Sequence, residues 1–169
     1  MNINLILPNI KPFSSNNAYY KNRKHNAQAR KWRATVLKAL LPFKGDFERM
    51  RDAFNPSLHS LFVSITVYYP SKKFFVQSKP NKGNLSAQTM DLTNTEKLLI
   101  DLIFHPKFSS NTWLRERRGN EIGLYKGFTE LTNLAIDDRF ISDLKSEKRP
   151  SEEGYSTEVR ISLIPLSTL

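Results

Sequence analysis

The period of the hydrophobic positions changes several times along the chain, and each change marks an element. STEVRISLI (156–164) alternates cleanly, with Thr157, Val159, Ile161 and Leu163 on one face, as in a half-buried strand. LFVSITVYY (61–69) is β-branched and aromatic and predicts a second strand, closed by Pro70. INLIL (3–7) alternates in part and reads as a strand ending at Pro8, and the stretch from Ala135 to Lys148 reads as a turn followed by a strand. Elsewhere the period is helical. Trp32, Val36, Leu37, Leu40 and Leu41 recur at helical spacing, with Asn26 placed to cap and Pro42 to stop the helix. Phe47, Met50 and Phe54 recur at three and four and predict a short helix before Asn55-Pro56. Asp91 to Phe104 predicts a second main helix, with Leu92, Leu98, Leu99, Leu102 and Ile103 as its apolar face. Residues 11–25 and 105–132 read as loop or irregular chain, and 71–88 as a mobile basic loop. Four strands and two main helices predict one mixed α/β domain, α+β in character, over residues 1–169: a small mixed sheet packed by helices.

Composition narrows the class. At 39% apolar residues the chain suits a globular core, and without cysteine it has neither disulfides nor thiolate metal sites. The N-terminus lacks a charged start followed by a long apolar run, and no apolar run approaches the roughly 18 residues that span a bilayer. The expectation is a soluble cytoplasmic protein with no membrane partner. Charge changes the picture further. Twenty-six Lys and Arg against sixteen Asp and Glu give +10, and the excess is clustered. Lys11 to Lys38 holds eight basic residues and no acid, and Ser71 to Met90 holds four lysines and no acid. Such clusters attract a polyanion, because each cation that neutralises a phosphate releases a counterion. A solubilising surface is the plainer alternative.

Against this background the acids stand out. In TMDLTNTEKLLID (89–101), Asp91, Asn94, Lys97 and Asp101 share one sector of the predicted helix, about 120° wide at 100° per residue. Taken alone, Asp91 could serve as an N-cap acid and Lys97 as half of a surface ion pair. AIDDRFI (135–141) adds a second acidic site at Asp137-Asp138. Carboxylates gathered in a positive groove suit Mg²⁺, a hard cation that takes oxygen ligands and can activate water against a phosphodiester. His25, His59 and His105 are scattered without ligand spacing and are assigned no role, and neither a Ser-His-Asp arrangement nor a Gly-rich phosphate loop is present.

Three stretches together resemble a known family. SSNNAYYKNR (14–23), MDLTNTEKLLIDLI (90–103) and DDRFISDLKSEK (137–148) are similar, in order, to the N-terminal loop, the Asp-rich helix and the Asp-Asp segment of the RusA-type Holliday junction resolvases, small endodeoxyribonucleases of phages and bacteria. The resemblance implies a Mg²⁺-dependent homodimer, with Mn²⁺ as a substitute, that nicks four-way DNA junctions symmetrically in recombination and repair. It places Asp91, Lys97, Asp101 and Asp138 in catalysis, and Asp91, Asp101, Asp137 and Asp138 around the metal. The chain departs from the family at Thr93, where a second helix aspartate is expected, and in the thirty-five residues (102–136) between Asp101 and Asp137, where about a dozen or fewer are usual. The extra length is an atypical basic insertion at about 105–132.

Contacts to branched DNA are expected from Asn17, Tyr19, Tyr20, Lys21, Arg23 and Lys24 in the first loop, where aromatics can stack on bases and cations hold phosphate. Further contacts are expected from Arg30, Lys72, Lys73, the insertion's Arg115, Arg117 and Arg118, and Lys145 and Lys148 beyond the acidic turn. Trp32, on an apolar stripe, is expected in core or dimer packing. Two alternatives remain open: a weakened or inactive protein that binds branched DNA, motivated by Thr93, and a nuclease acting on flaps or forks.

Overall fold

A computed structural model describes residues 1–13, 27–74, 92–108 and 131–168, the side chains of residues 92, 94 and 95 excepted. Four strands form one mixed sheet: β1 (Asn2–Pro8), β2 (His59–Pro70), β3 (Ile141–Ser151) and β4 (Ser156–Pro165), in the order β1-β4-β2-β3. β4 lies between β1 and β2, antiparallel to both, and β2 pairs parallel with β3. Among the described residues four helices accompany it: α1 (Ala27–Leu40), α2 (Lys44–Ala53), the single turn α3 (Ser71–Phe74) and α4 (Leu92–Phe104). The α+β architecture is the one the hydrophobic pattern predicts. Among the described residues no helix is long and apolar enough to cross a membrane.

Alternation aligns the core across the sheet. Ile161 stands between Ile3 and Val63, and Val159 between Leu5 and Ile65, all on one face. These side chains are buried together with Val36 and Leu40 of α1, Phe47 and Met50 of α2, and Leu99, Leu102 and Ile103 of α4. The opposite face is polar and satisfies itself across strands. Thr66 donates to Glu147 at 3.1 Å, Arg160 donates through Nε to Asn4 at 3.2 Å, and the Lys145 ammonium lies 5.4 Å from the Phe62 ring centroid. The four-residue link from β3 to β4 steps over the end of β2. Gly154 makes that reversal at φ 102°, where a side chain would be strained.

One local feature escapes a simple periodic reading. The register of β3 on β2 shifts at Leu61/Phe62, so that Leu61 faces Ile141 and Phe62 faces Asp143. Ser142 is the extra residue, and its hydroxyl pairs with Ser60 at 3.0 Å. This bulge rephases the strand, bringing Leu144, Ser146 and Lys148 to the helix side, level with Val63, Ile65 and Val67. On α4, Leu98 lies on the predicted apolar face and is buried against Ala29 and Trp32. The helix is tied to β3 where the Ser146 hydroxyl donates to the Glu96 carboxylate.

Candidate functional site

The site begins with the unsatisfied end of a helix. The last carbonyls of an α-helix have no intrahelical partner, and buried ones must find donors elsewhere. At the end of α4, Asp101 accepts from the His105 amide at 3.0 Å, and the chain then turns through a 3-10 helix at Pro106–Phe108. Two more carbonyls, of Leu102 and Ile103, are met by Asn133 and Leu134. The Leu134 amide donates to Ile103 at 2.8 Å, and the Asn133 side-chain amide donates to Leu102 at 3.1 Å and to His105 at 2.8 Å. From the other side, buried Arg51 of α2 donates to the carbonyls of Asn133 at 2.7 Å and Leu134 at 3.3 Å. Burial pushes the Arg51 guanidinium down, while Glu48 and Asp52 oppose that shift. Ala135 follows at φ 51°, a left-handed conformation costly for a residue with a Cβ. Buried Ile136 then anchors the strand entry and delivers Asp137 and Asp138 beside Asp101.

The result is a hollow of about 120 Å³ lined by Asp101, Phe104, His105, Pro106, Asp137 and Asp138. The carboxylates differ in environment. Asp137 caps the short 3-10 turn Asp138–Phe140, accepting from the Arg139 amide at 3.0 Å, and its other oxygen lies 3.5 Å from the Arg139 guanidinium. Asp138 is exposed. Asp101 is half-buried, and burial pushes its carboxyl above the ordinary range; Lys107 and His105 pull it back, the negative charge of Asp138 pushes it further up, and Lys97 lowers it slightly. A desolvated carboxylate facing a second one is a place where a cation is electrostatically favourable. The donor set is all oxygen on the acid side and fits an ion held by one or two carboxylates plus waters, which is the habit of Mg²⁺. Among the described residues no group of three or more His, Asp or Glu gathers tightly enough to cage a metal by itself. The fit is thus to a two-carboxylate, largely hydrated site.

The expected residues distribute unevenly. Asp101, Asp137 and Asp138 come together. Lys97 is exposed on α4, one turn before Asp101. Asp91 lies outside the described residues, as do Asn17, Tyr19, Tyr20, Lys21, Arg23 and Lys24, and the insertion's Arg115, Arg117 and Arg118. Arg30 is exposed on α1, and Lys72 and Lys73 are exposed on α3. Lys145 and Lys148 part company: Lys148 is level with Val67 on the helix side, while Lys145 is level with Ser64 on the open face. Helix geometry separates residues that a wheel superimposes. At 1.5 Å per residue, positions 94 and 101 of α4 stand about 10 Å apart along the axis, so one shared sector does not make one coordination sphere.

Other contributors had no signature in the sequence. His105, assigned no role from its spacing, lines the hollow; its position just past the helix end, four residues after Asp101, was the available signal. Its Nδ1 accepts from the Lys107 amide at 3.2 Å. Lys107, Asn133 and Arg51 complete or brace the site. The braces act across twenty-eight or more positions, which no local pattern encodes. Trp32 is partly buried against the core as expected, its indole donating to the Lys11 carbonyl at 2.7 Å.

No protein-family model matches the chain, and no curated protein matches it.

Proposed function

We propose that the protein is a Mg²⁺-dependent endodeoxyribonuclease of RusA type that acts on branched DNA, with four-way junctions as its substrate and a homodimer as its working form. The observation that carries this reading is the meeting of Asp101 with the Asp137-Asp138 turn, two acidic sites thirty-five residues apart in a chain of net charge +10. The order of the three motif stretches supports it independently.

Asp101 and Asp138 would hold the ion through carboxylate oxygens, with Asp137 fixing the turn that presents Asp138. Bound there, the ion would supply Lewis-acid charge opposite a phosphodiester oxygen and a water of lowered pKa. The protein's own part is positional and electrostatic. Burial raises the Asp101 carboxyl, and a cation beside it would offset that shift. Exposed Lys97, one turn earlier, stands ready to oppose charge developing on the phosphate. Backbone contacts by Lys and Arg orient the DNA without reading its sequence. Two sites in a symmetric dimer would match the near-twofold symmetry of a junction.

The test is incision of a synthetic four-way junction with Mg²⁺ by wild type and by Asp91→Asn, Asp101→Asn and Asp138→Asn. Paired nicks by wild type and loss of at least about 100-fold in rate for Asp138→Asn are expected. Asparagine variants that cut as fast as wild type would overturn the assignment. Flaps and forks in the same panel separate junction resolution from other branched substrates. Thr93 and the two-carboxylate site favour one second reading, a junction-binding protein without hydrolysis; it predicts tight binding, no products, and affinity indifferent to Mg²⁺.

A further inference from the structure

The two edges of the sheet are built differently. β3, at one edge, carries Asp143, Lys145, Glu147, Lys148, Arg149 and Pro150. Charges and proline on an edge strand keep other strands from adding to it. β1, at the other edge, has none of these before its last residue, Pro8, and no charged side chain occurs from Met1 to Ile10. In a chain of net charge +10, two copies repel over much of their surface and least along this stretch.

Backbone parity shows which groups the β1 edge offers. The Leu163 amide donates to the Met1 carbonyl at 2.9 Å, and the Asn9 amide to the Tyr155 carbonyl at 3.0 Å. Both pairs continue the register of β1 on β4. Bonded residues alternate along an antiparallel strand, so the odd positions of β1 face β4. The N–H and C=O of Asn2, Asn4 and Ile6 therefore point away from β4, to a side where no further strand lies among the described residues. Pro8, next in that series, has no N–H to offer. Met1, 53% exposed, and Ile6, 59% exposed, are large apolar side chains on the same stretch.

We infer that β1 is the surface on which two copies of this chain meet, strand against strand and antiparallel, so that two four-stranded sheets become one. This rests on the homodimer of the reading above and names its contact. An antiparallel pair about a twofold axis is self-complementary. With Asn4 opposite the partner's Asn4, Asn2 lies opposite the partner's Ile6, and all three outward positions exchange bonds, about six in total. Pro8 falls outside this register, whereas a shift toward it sets the proline opposite Asn4 and forfeits a bond. Exposed Ile6 then packs beside the partner's Asn2, and Met1 comes level with the partner's Leu7.

Sedimentation velocity of the full chain over a concentration series reads the dimer for wild type, Asn4→Lys, Asn4→Asp, an equal mixture of those two, and Asn4→Pro. The Asn4 side chain is exposed on the open face of the sheet. Each charged variant sets like charges opposite each other across the axis and should weaken the dimer, about 5-fold for lysine. Arg160, which donates to Asn4, offsets part of the repulsion between aspartates, so that loss should be smaller. Mixing the two variants should restore association, because lysine then faces aspartate. Asn4→Pro removes an outward N–H from each copy and should sediment as a monomer where wild type is a dimer. Circular dichroism checks that each variant folds, and if the proline variant does not, the charge pair decides. Charged variants that dimerise like wild type, or a mixture no tighter than either alone, would overturn the edge pairing; junction incision at the wild-type rate would then spare the nuclease. A wild type that stays monomeric at every concentration also overturns the edge pairing, and its incision of a junction tests the nuclease separately.

Discussion

Replacing Asn133 tests how the site is assembled. Its side-chain amide donates to two carbonyls at the end of α4, and the residue is fully buried. Asn133→Leu keeps the volume and removes both bonds. Each neutral bond contributes about 1 kcal/mol net, and a buried carbonyl left without a donor costs about 1–3 kcal/mol. The Leu102 carbonyl sits in the buried interior and bears that cost, whereas the His105 carbonyl is only partly buried and can be rehydrated. Among the described residues Asn133 Oδ1 meets no donor, so leucine also removes one unsatisfied atom and recovers part of the loss. The net is a destabilisation of about 2 kcal/mol, or about 4–8 °C in melting temperature for a chain of this size. Asn133→Asp has the same shape but turns acceptors toward two carbonyls, and should cost more than leucine, about 3 kcal/mol or above. Thermal unfolding by circular dichroism measures both. Hydrogen exchange at the Leu134 amide, which donates to Ile103, should accelerate in step. A leucine variant melting within about 1 °C of wild type, or an aspartate variant no worse than leucine, would refute the capping argument.

Further outcomes follow from the same geometry. Arg51→Met removes a charged donor from two buried carbonyls and should destabilise by about 3 kcal/mol in thermal melts, more than any exposed arginine of α1. Asp101→Asn should stabilise the metal-free protein at neutral pH. The sign follows from a folded carboxyl raised above its unfolded value: ionisation penalises the fold above the folded pKa, and the penalty fades as pH falls through that value toward the unfolded one. The melting advantage of Asp101→Asn should therefore shrink toward zero in acid, and an advantage that persists there would contradict the burial argument. Mg²⁺ in large excess over its dissociation constant should raise the melting temperature of wild type but not of an Asp101→Asn, Asp138→Asn double variant. In metal-free junction binding, Lys148→Gln should reduce the salt slope by about 1 and Lys145→Gln should leave it unchanged, because β3 points them to opposite faces of the sheet.

Local periodicity was enough for most of the fold. β4 alternates, β2 is β-branched and aromatic, and most of the apolar positions spaced along α1, α2 and α4 are buried in the core or packed on it, although Leu41, expected on the first helix's stripe, is exposed just past the end of α1. What it could not contain was set by distant partners. The Ser142 bulge depends on register with β2. The acidic residues were legible as types and spacings, and Asp101, Asp137 and Asp138 do share a hollow. Their convergence depends on Asn133 and Arg51, ordinary polar residues whose role appears only when the end of α4 needs donors. A helical wheel also discards height, so it placed in one group side chains that the axis spreads over several turns.

Titration of the protein with Mn²⁺ while recording its backbone amide signals by nuclear magnetic resonance locates an ion without relying on catalysis. At about one equivalent, the account predicts selective broadening of residues 101–105 and 136–139, abolished by Asp101→Asn with Asp138→Asn. Signals there that stay sharp, or broadening centred on acids remote from the hollow such as Asp46 or Glu158, would contradict it.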